Sequence, residues 1–375
     1  VSDVMNESNK YGTDDITEET INHVAEKNGV DVSVAELMVK ADKKSGKNNY
    51  GTFDVFTPMT PEESETVAKE YILKNMYAST TNKYAGLIPD ESLIGDYRDW
   101  MTGLKIDTNG TTAEQKKSFN DLQKLTDDKL AYDPETGLVT IVEFRKGKKK
   151  SGTDLVRDLV LCKTFTVTIA RNLLTQVVDK DGNTSLVPVP TQLTDYNDNG
   201  VTVNINDTQI QDKDTYLLLL DEETGNSYYS PMADTPSQIH LGHEMIHVRD
   251  SRDKKENTKD IALRMYVLPD GTKEFEGQQP EDLNKRRPYD AAREFETTGL
   301  GYVQTYSYDF YTLSEAEKEK RANELNEQNE DWVSEDQRPT TENSLRREQG
   351  LDIRHAYTMY EEDEDGNMVK AKSKN

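Results

Sequence analysis

The chain has 375 residues, 33% of them apolar, and its 71 acidic against 46 basic residues give a net charge of -25 at pH 7. This length predicts one large or two moderate domains, and so acidic a surface argues against nucleic-acid partners and anionic membranes, because it repels phosphates. No apolar stretch approaches the roughly 18 residues of a membrane span, no signal peptide is visible, and the single cysteine, Cys162, excludes an internal disulfide framework and a Cys-rich metal site.

The first part of the chain, residues 1–130, reads as a helical accessory or targeting region. Residues 60–63 are T-P-E-E, a capping box with proline at the first helical position. Residues 112–115, T-A-E-Q, open a second helix in the same way. Two weaker helices are predicted over residues 14–28 and 33–44, and no residue pattern in this region indicates chemistry.

From residue 131 the pattern changes to strands. A turn at residues 133–137 precedes a β-branched run, and further alternating or apolar runs follow, each bounded by Asp, Asn or Gly. The predicted strands cover residues 138–144, 165–169, 201–205 and 216–220. Helices are expected to dominate after residue 234, with a solvated surface helix over 314–331 and a frayed tail over 361–375. Strands followed by helices in blocks predict an α+β domain over residues 131–375.

Residues 195–200, D-Y-N-D-N-G, imitate the first half of a calcium loop. The twelfth position of that loop would be Asn206, where a bidentate Glu is needed, and the flanking segments are strands where helices are required. We therefore interpret this segment as a hairpin turn.

Residues 243–247, H-E-M-I-H, form an intact H-E-x-x-H motif. On a helix, His243 and His247 lie on one face about 5–6 Å apart at Cβ, so both imidazoles can reach one metal ion. Glu244 lies at the edge of that face, where it can take a proton from an activated water. Zinc is the metal expected, because imidazole suits it and a catalytic zinc keeps one position open for water. A capping box at residues 235–238 with Pro236 at the first helical position supports a helix that continues to about Asp250.

A catalytic zinc needs a third protein ligand, and the residues alone leave it open. Asp253 occupies the third-ligand position of the longer H-E-x-x-H-x-x-G-x-x-H/D pattern, although Asp250 replaces its glycine. Glu294 and Glu296 lie on a predicted helix that ends at Gly299, and their spacing places them on different faces. His240 is expected to pack rather than to bind metal.

Three separated segments together resemble the NleD-type effector metallopeptidases of bacteria. Residues 241–247, L-G-H-E-M-I-H, resemble the family's L-x-H-E-L-I-H. Residues 293–301, R-E-F-E-T-T-G-L-G, resemble E-E-x-x-T-V-G-L-G. Residues 341–351, T-E-N-S-L-R-R-E-Q-G-L, followed by Arg354 and Tyr357, resemble T-E-N-x-x-R-x-E-x-G-L. The resemblance covers about residues 200–360.

The resemblance implies a zincin-like fold and an endopeptidase that holds one zinc per chain and that a bacterium secretes or injects to cleave a protein substrate. Carried over, His243 and His247 would be zinc ligands, Glu244 the base and Glu294 the third ligand. Arg293 departs from the family pattern, which has a glutamate there. Asn343, Arg346 and Glu348 either line the cleft or form a structural network.

The oxyanion donor and the strand that binds the substrate each have several candidates. An oxyanion needs a donor, and the candidates are Tyr302, Tyr306, Tyr308, His355 and Tyr357. An exposed strand, 216–220 or 201–205, is expected to pair with an extended substrate. Two rival hypotheses are an inactive binding protein stabilised by zinc and a metal-free acidic interaction module; the oligomeric state is not predicted.

Overall fold

The computed structural model describes residues 57–78, 91–178, 180, 182–253, 261–277, 290–305, 314, 316–317, 320, 332–333 and 340–371. The helices are α1 Pro61–Ala78, α2 Thr112–Leu125, α3 Lys150–Val160, α4 Asp207–Ile210, α5 Ser237–Arg252, α6 Asp290–Thr298 and α7 Glu342–Glu348. Within these ranges no helix is both long and apolar enough to cross a membrane. The predicted helices over 14–28 and 33–44, and most of that over 314–331, lie outside the described residues.

Strands are distributed among several small sheets. Those before the motif helix are β1 Thr57–Pro58, β2 Leu104–Ile106, β3 Lys129–Tyr132, β4 Val139–Glu143, β5 Arg145–Lys146, β6 Thr166–Arg171, β7 Leu174–Val178, β8 Thr184–Pro188, β9 Gln192–Asn197, β10 Gly200–Ile205, β11 Thr215–Leu220 and β12 Ser227–Pro231. Those after it are β13 Ile261–Val267, β14 Lys273–Gly277, β15 Tyr302–Thr305, β16 Trp332–Val333, β17 Ile353–Glu362 and β18 Met368–Lys370. The molecule is thus a mixed α and β structure.

Three four-stranded sheets contain most of these strands. Their orders are β2-β6-β10-β9, β12-β11-β17-β18 and β14-β13-β15-β16, and the pairs β1-β5, β3-β4 and β7-β8 stand as two-stranded sheets. β2, β6 and β10 are mutually parallel, whereas β9 is antiparallel to β10. The segment that resembles a calcium loop lies where β9 ends and β10 begins. Only two residues separate these strands, so the segment forms a hairpin connection, as predicted.

The contacts divide the chain into two compact units. One contains β1 and β5 among its described residues, and the other comprises Met59–Phe144 and Lys149–Asn375. The predicted boundary near residue 130 therefore lies inside the larger unit. The reason is packing, because apolar residues of α1 and α2 share one buried core with the motif helix: Ala68, Ile72, Met76, Leu122, Leu125, Ile239, Leu241, Met245, Ile246 and Val248.

The local signals for the first two helices are confirmed. At α1 the Thr60 and Glu63 side chains each accept a hydrogen bond from the other residue's backbone N–H, at 3.2 and 3.0 Å. At α2 the same box forms one residue earlier than predicted, between Thr111 and Glu114. These reciprocal bonds satisfy N–H groups that the first helical turn leaves without partners.

The start of α5 differs from its prediction. The helix begins at Ser237, and Pro236 precedes it without a side-chain cap. The Thr235 hydroxyl accepts a hydrogen bond from Arg346 Nη2 at 3.2 Å, and Gln238 Nε2 donates to Gln349 Oε1 at 2.8 Å. The side chains expected to cap this helix locally are therefore used in contacts with distant elements.

Among the described residues after 234, helices do not dominate as predicted, because strands are about as extensive. β13, β14, β15 and the ten-residue β17 all follow the motif helix. Of the tail expected to fray over 361–375, the described part, residues 361–371, instead contains the end of β17 and β18, which pair antiparallel from Tyr360–Lys370 to Glu362–Met368. This pairing depends on β11, far away in sequence, which pairs with the other edge of β17.

Neither strand proposed to bind an extended substrate has a free edge. β10 lies between β6 and β9, and β11 lies between β12 and β17. Both backbone edges of each strand are already paired. The expectation that residues 201–205 or 216–220 accept a substrate strand is therefore wrong.

Gly242 allows two helices to approach the motif helix closely. A Cβ at this position would lie 2.4 Å from Leu345 Cδ1 of α7 and 3.3 Å from Leu125 Cδ2 of α2. Contacts below about 3 Å are not tolerated without movement. The absence of a side chain at Gly242 thus brings α7 beside the first histidine of the motif.

Candidate metal centre

The H-E-x-x-H motif lies in the middle of α5, between the core and a polar cluster. Leu241, Met245, Ile246 and Val248 pack into the core, which fixes the rotation of the helix about its axis. His243 and Glu244 are half-buried, and His247 is buried with 5% of its surface exposed. The motif therefore presents its polar side chains on the face away from the core, as predicted.

The helix α6 brings Glu294 to the two histidines. Glu294 Oε2 lies 3.3 Å from His243 Nε2 and 3.1 Å from His247 Nε2, and the two Nε2 atoms are 3.1 Å apart. Among the described residues, these three form the one group of His, Cys, Asp or Glu side chains with metal-ligand spacing. Gly299, with φ +87, ends α6 in the left-handed region, as expected of a glycine there.

Glu296 and Asp253, the alternatives for the third ligand, lie elsewhere. Glu296 is buried and accepts a hydrogen bond from the Tyr302 hydroxyl at 2.7 Å. Asp253 is the C-cap residue of α5 and accepts a hydrogen bond from Arg252 Nε at 2.9 Å. The structure thus brings Glu294 alone of the three acidic candidates to the histidines.

Hydrogen bonds at the outer nitrogens hold both imidazole rings. His243 Nδ1 lies 2.9 Å from Glu342 Oε2, and His247 Nδ1 lies 3.1 Å from the Thr297 hydroxyl. At His243 a proton on Nδ1, donated to Glu342, leaves a lone pair on Nε2 that points at the shared centre. At His247, Arg293 Nε donates a hydrogen bond to Nδ1 at 3.2 Å, so here Nδ1 accepts and the proton of the neutral ring lies on Nε2; Arg293 Nη2 donates to Ser251. The Thr297 hydroxyl can donate or accept, so it can serve either tautomer of His247.

The donor set fits a zinc ion. Zinc bonds of roughly 2.0–2.1 Å place the ligands of a tetrahedral site about 3.3 Å apart. The three separations of 3.1, 3.1 and 3.3 Å match the edges of such a tetrahedron. Two imidazole nitrogens and one carboxylate oxygen are ligands that zinc prefers, and three ligands leave a fourth position for water.

The charges around the site explain the ionisation of its metal-free form. Burial opposes the charged form of His243, but hydrogen bonds to Glu294 and Glu342 outweigh it and raise the pKa of His243 to about 10. Burial opposes ionisation of Glu294 and Glu342 as well. The histidines nevertheless hold the pKa of Glu294 well below its usual value, and Arg354 and Arg346 do the same for Glu342.

Glu244 has the electrostatic environment of a proton acceptor. Burial raises its pKa, while the neighbouring His243 and His247 act in the opposite direction. Its carboxylate also acts electrostatically on Tyr357. Among the described residues, the group with metal-ligand spacing does not include Glu244.

Of the five candidates for an oxyanion donor, the structure brings Tyr357 to the site. Burial raises the pKa of its hydroxyl well above the usual value, and the Glu294 and Glu244 carboxylates add to that effect. Tyr302 donates to Glu296, and the His355 ring contacts Tyr266 at 6.4 Å between centroids. Tyr306 and Tyr308 lie outside the described residues.

The third motif contributes support rather than a cleft lining. The Arg346 Nε donates to Glu342 at 2.8 Å, and Asn343 bonds both the N–H and the C=O of Arg354. Glu348 accepts hydrogen bonds from the backbone N–H groups of Ser151 and Gly152 at the start of α3. Of the two predictions made for Asn343, Arg346 and Glu348, these contacts support the structural network.

Two side chains of the site were not singled out from the sequence. Glu342 and Thr297 each bond the outer nitrogen of one histidine. Both lie inside the motif segments, and a search for a carboxylate or hydroxyl partner for each ligand histidine would have been the signal. His240, expected to pack, is half-buried; its Nε2 atom is buried and makes no hydrogen bond, and burial lowers its pKa to about 3.

Comparison with known proteins finds no match to this chain. No protein-family model, curated protein or solved structure matches this chain. The three motif resemblances and the zincin-like fold therefore stay predictions.

Proposed function

We propose that the chain is a zinc-dependent endopeptidase of bacterial effector or toxin type, which hydrolyses peptide bonds of a protein substrate. The observation that carries the proposal is the convergence of His243 Nε2, His247 Nε2 and Glu294 Oε2 within 3.3 Å of one another. The delivery by a bacterium and the protein substrate rest on the motif resemblance alone.

His243, His247 and Glu294 would hold the zinc. Bound there, zinc supplies Lewis-acid activation of a water and of the scissile carbonyl. The outer hydrogen bonds to Glu342 and Thr297 keep both imidazole rings oriented with Nε2 toward this centre. The chain thereby fixes the ligand geometry before any metal arrives.

Glu244 supplies proton transfer in this mechanism. Its carboxylate removes a proton from the attacking water and then delivers it to the leaving nitrogen of the cleaved bond. Its partial burial raises its pKa, and a base with a raised pKa holds the abstracted proton more firmly. A peptide nitrogen leaves only when it is protonated, and Glu244 supplies that nitrogen with the proton that it removed from the water.

Tyr357 would donate the hydrogen bond to the oxyanion in this mechanism. Its ring packs against a cluster that includes Ala292 and Phe295 of α6, the helix that carries Glu294, and the Glu294 and Glu244 carboxylates add to the effect of burial in raising the pKa of its hydroxyl. The Arg354 guanidinium lies 5.1 Å from the centroid of the Tyr357 ring. A hydrogen bond from Tyr357 to the oxyanion would stabilise the tetrahedral state.

The first test compares wild type with Glu244→Gln on a peptide library made by digesting whole-cell protein. Wild type loaded with zinc is expected to create new peptide termini. Glu244→Gln should keep its zinc and lose at least about 10²-fold in rate, because removing general acid–base catalysis costs that much or more. Equal cleavage by the two proteins would show that Glu244 is not the base. Zinc binding without any cleavage by wild type would favour the inactive binding protein.

A further inference from the structure

β17 departs from regular strand geometry close to the candidate site. It pairs with β11 at Met359–Leu217 and again at Arg354–Leu219, so four residues, 355–358, lie opposite the single Leu218. Insertions of this kind bend a strand and redirect its side chains, and they are frequent near active sites. Tyr357 lies within this insertion, which we call the bulge.

Charged side chains replace the ladder hydrogen bonds that the bulge lacks. Glu276 of β14 accepts hydrogen bonds from Tyr357 N–H at 3.0 Å and from Thr358 N–H at 2.8 Å. Its Oε2 also accepts from the Thr358 hydroxyl at 2.6 Å. One buried carboxylate therefore holds two consecutive backbone N–H groups of the bulge.

Arginines satisfy the carbonyl groups of the same segment. Arg264, the cross-strand partner of Glu276, donates from Nη1 to His355 C=O at 2.8 Å and to Glu276 at 2.5 Å. Arg354 donates to the carbonyls of Ala356 and Tyr357. The bulge is thus held by the Arg264–Glu276 pair from one sheet and by Arg354 from its own strand.

Glu276 forms its hydrogen bonds to the bulge across two different sheets. β14 belongs to the sheet β14-β13-β15-β16, whereas the bulge belongs to β12-β11-β17-β18. Keeping a carboxylate charged inside the protein is costly unless it is paired and hydrogen-bonded. Glu276 meets this condition because it pairs with Arg264 and accepts three hydrogen bonds from the bulge. Its charged carboxylate therefore contacts residues 357 and 358.

We propose that Glu276 is a positioning residue, which holds the bulge of β17 and so places the Tyr357 hydroxyl at the metal centre. This inference rests on the proposed function, in which Tyr357 donates to the oxyanion. Glu276 itself contacts the backbone of the bulge, and it acts on the reaction only through Tyr357.

The test is a double-mutant cycle of Glu276→Gln and Tyr357→Phe. Glu276→Gln replaces one of the two accepting oxygens with an N–H donor, which then faces one N–H group of the bulge, so Tyr357 is displaced. We expect kcat to fall on the order of 10-fold to 10²-fold with KM and zinc content little changed, since small misplacements at a reacting centre cost this much. In the Tyr357→Phe background, Glu276→Gln should cost nothing more. An equal loss in both backgrounds would overturn the proposal.

A matched control and a milder variant guard against loss of folding. Glu274→Gln lies two residues away on β14, where Glu274 accepts from the Tyr266 hydroxyl and pairs with Lys370, so it should leave kcat unchanged. Thr358→Val removes one of the three hydrogen bonds that the bulge donates to Glu276, and it should lower kcat by a smaller factor than Glu276→Gln. A fall in kcat with Glu274→Gln equal to that with Glu276→Gln would contradict the proposal.

Amide hydrogen exchange separates this proposal from the proposed function. Exchange at one of the two amides, Tyr357 or Thr358, should be at least about tenfold faster in Glu276→Gln than in wild type or Glu274→Gln, because one of the two accepting oxygens is lost. Unchanged exchange would overturn the proposal whether or not the chain cleaves peptides. A zinc-loaded wild type that cleaves nothing would overturn the proposed function instead, while the exchange data would still decide whether Glu276 holds the bulge.

Discussion

His243 lies between two carboxylates that have different tasks. Glu294 faces Nε2, where a metal would bind, and Glu342 faces Nδ1 at 2.9 Å. Glu342 is itself held by Arg346 and by Arg354, at 2.8 and 3.5 Å. Glu342 therefore fixes the ring of a ligand and links that ligand to the residues that support Tyr357.

Glu342→Gln tests this orienting role. The amide keeps the size of the side chain but removes the charge that favours a proton on His243 Nδ1. We expect zinc affinity to fall about 10–100-fold, as is usual when such an outer partner is lost. Competition with a chromophoric chelator measures the affinity. Glu222→Gln, which alters an exposed pair with Arg347 of the same helix, is the control and should bind zinc as wild type does; equal affinity in Glu342→Gln would rule out the orienting role.

At this scale the sequence predicted residue types better than it predicted partners. The H-E-x-x-H spacing identified His243, Glu244 and His247, because one helical turn dictates which residues share a face. The choice of Glu294 over Glu296 needed the motif resemblance, since helical geometry separates these two residues without telling which one faces α5. The partners Glu342 and Thr297 come from other elements, and local periodicity carries no information about them.

At the scale of elements, the site depends on how closely α7 approaches α5. Gly242 precedes His243, and Leu345 of α7 occupies the space that a side chain at Gly242 would need. Glu342 lies one turn before Leu345 on α7, so this close packing also places the partner of His243. The glycine is required by the packing of two helices rather than by its own backbone conformation.

Gly242→Ala is expected to destabilise the protein, in contrast to the usual effect in a helix. Replacing glycine by alanine inside a helix ordinarily stabilises it by roughly 1 kcal/mol. Here the added Cβ would lie 2.4 Å from Leu345 Cδ1, and overpacking of this kind costs about 1–3 kcal/mol. Urea unfolding of the metal-free protein measures the difference. A control, Gly110→Ala, adds a Cβ whose nearest neighbour is Glu114 Oε2 at 3.5 Å, an ordinary contact; a more stable Gly242→Ala variant would show that α7 is not held against α5.

Elements with a strong local signal were predicted, and those that depend on distant strands were not. The boxes at Thr60 and Thr111 and the alternation in β6 are local, so α1, α2 and β6 were found. β18 forms by pairing with β17, which in turn pairs with β11, so it depends on a strand that is distant in sequence. The parallel arrangement of β2, β6 and β10 was hidden because the β3-β4 and β7-β8 hairpins interrupt the alternation of strand and helix.

At the scale of the whole molecule, buried ion pairs connect helices from distant parts of the chain. Asp158 of α3 pairs with Arg252 at the end of α5 at 2.6 Å and with Lys74 of α1 at 3.1 Å. Three helices thus meet at one carboxylate that has no exposed surface. The predicted boundary near residue 130 did not anticipate this, because ion pairs between helices leave no periodic pattern in the sequence.

Asp158→Asn should reduce stability in a manner that depends on pH. Burial opposes ionisation of Asp158, but Arg252 and Lys74 outweigh it and hold its pKa below the usual value. Its contribution is therefore present above the unfolded pKa of about 4 and is lost as pH falls through the lower folded pKa. Breaking such a pair costs about 3 kcal/mol at pH 7. Unfolding of wild type and variant between pH 7 and pH 3 should show this gap and its narrowing in acid. Asp365→Asn, in an exposed turn, is the control, and a gap that stays constant with pH would contradict the role of ionised Asp158.

The measurement that tests the central claim most directly is the zinc content of the purified protein after extensive dialysis. We expect about one zinc per chain for wild type and for Glu244→Gln, because three side chains can form one ligand set. Glu294→Gln should lose the metal, while Glu296→Gln and Asp253→Asn should keep it. A wild type that holds no zinc and takes up none on addition would contradict the account and would favour a metal-free acidic interaction module.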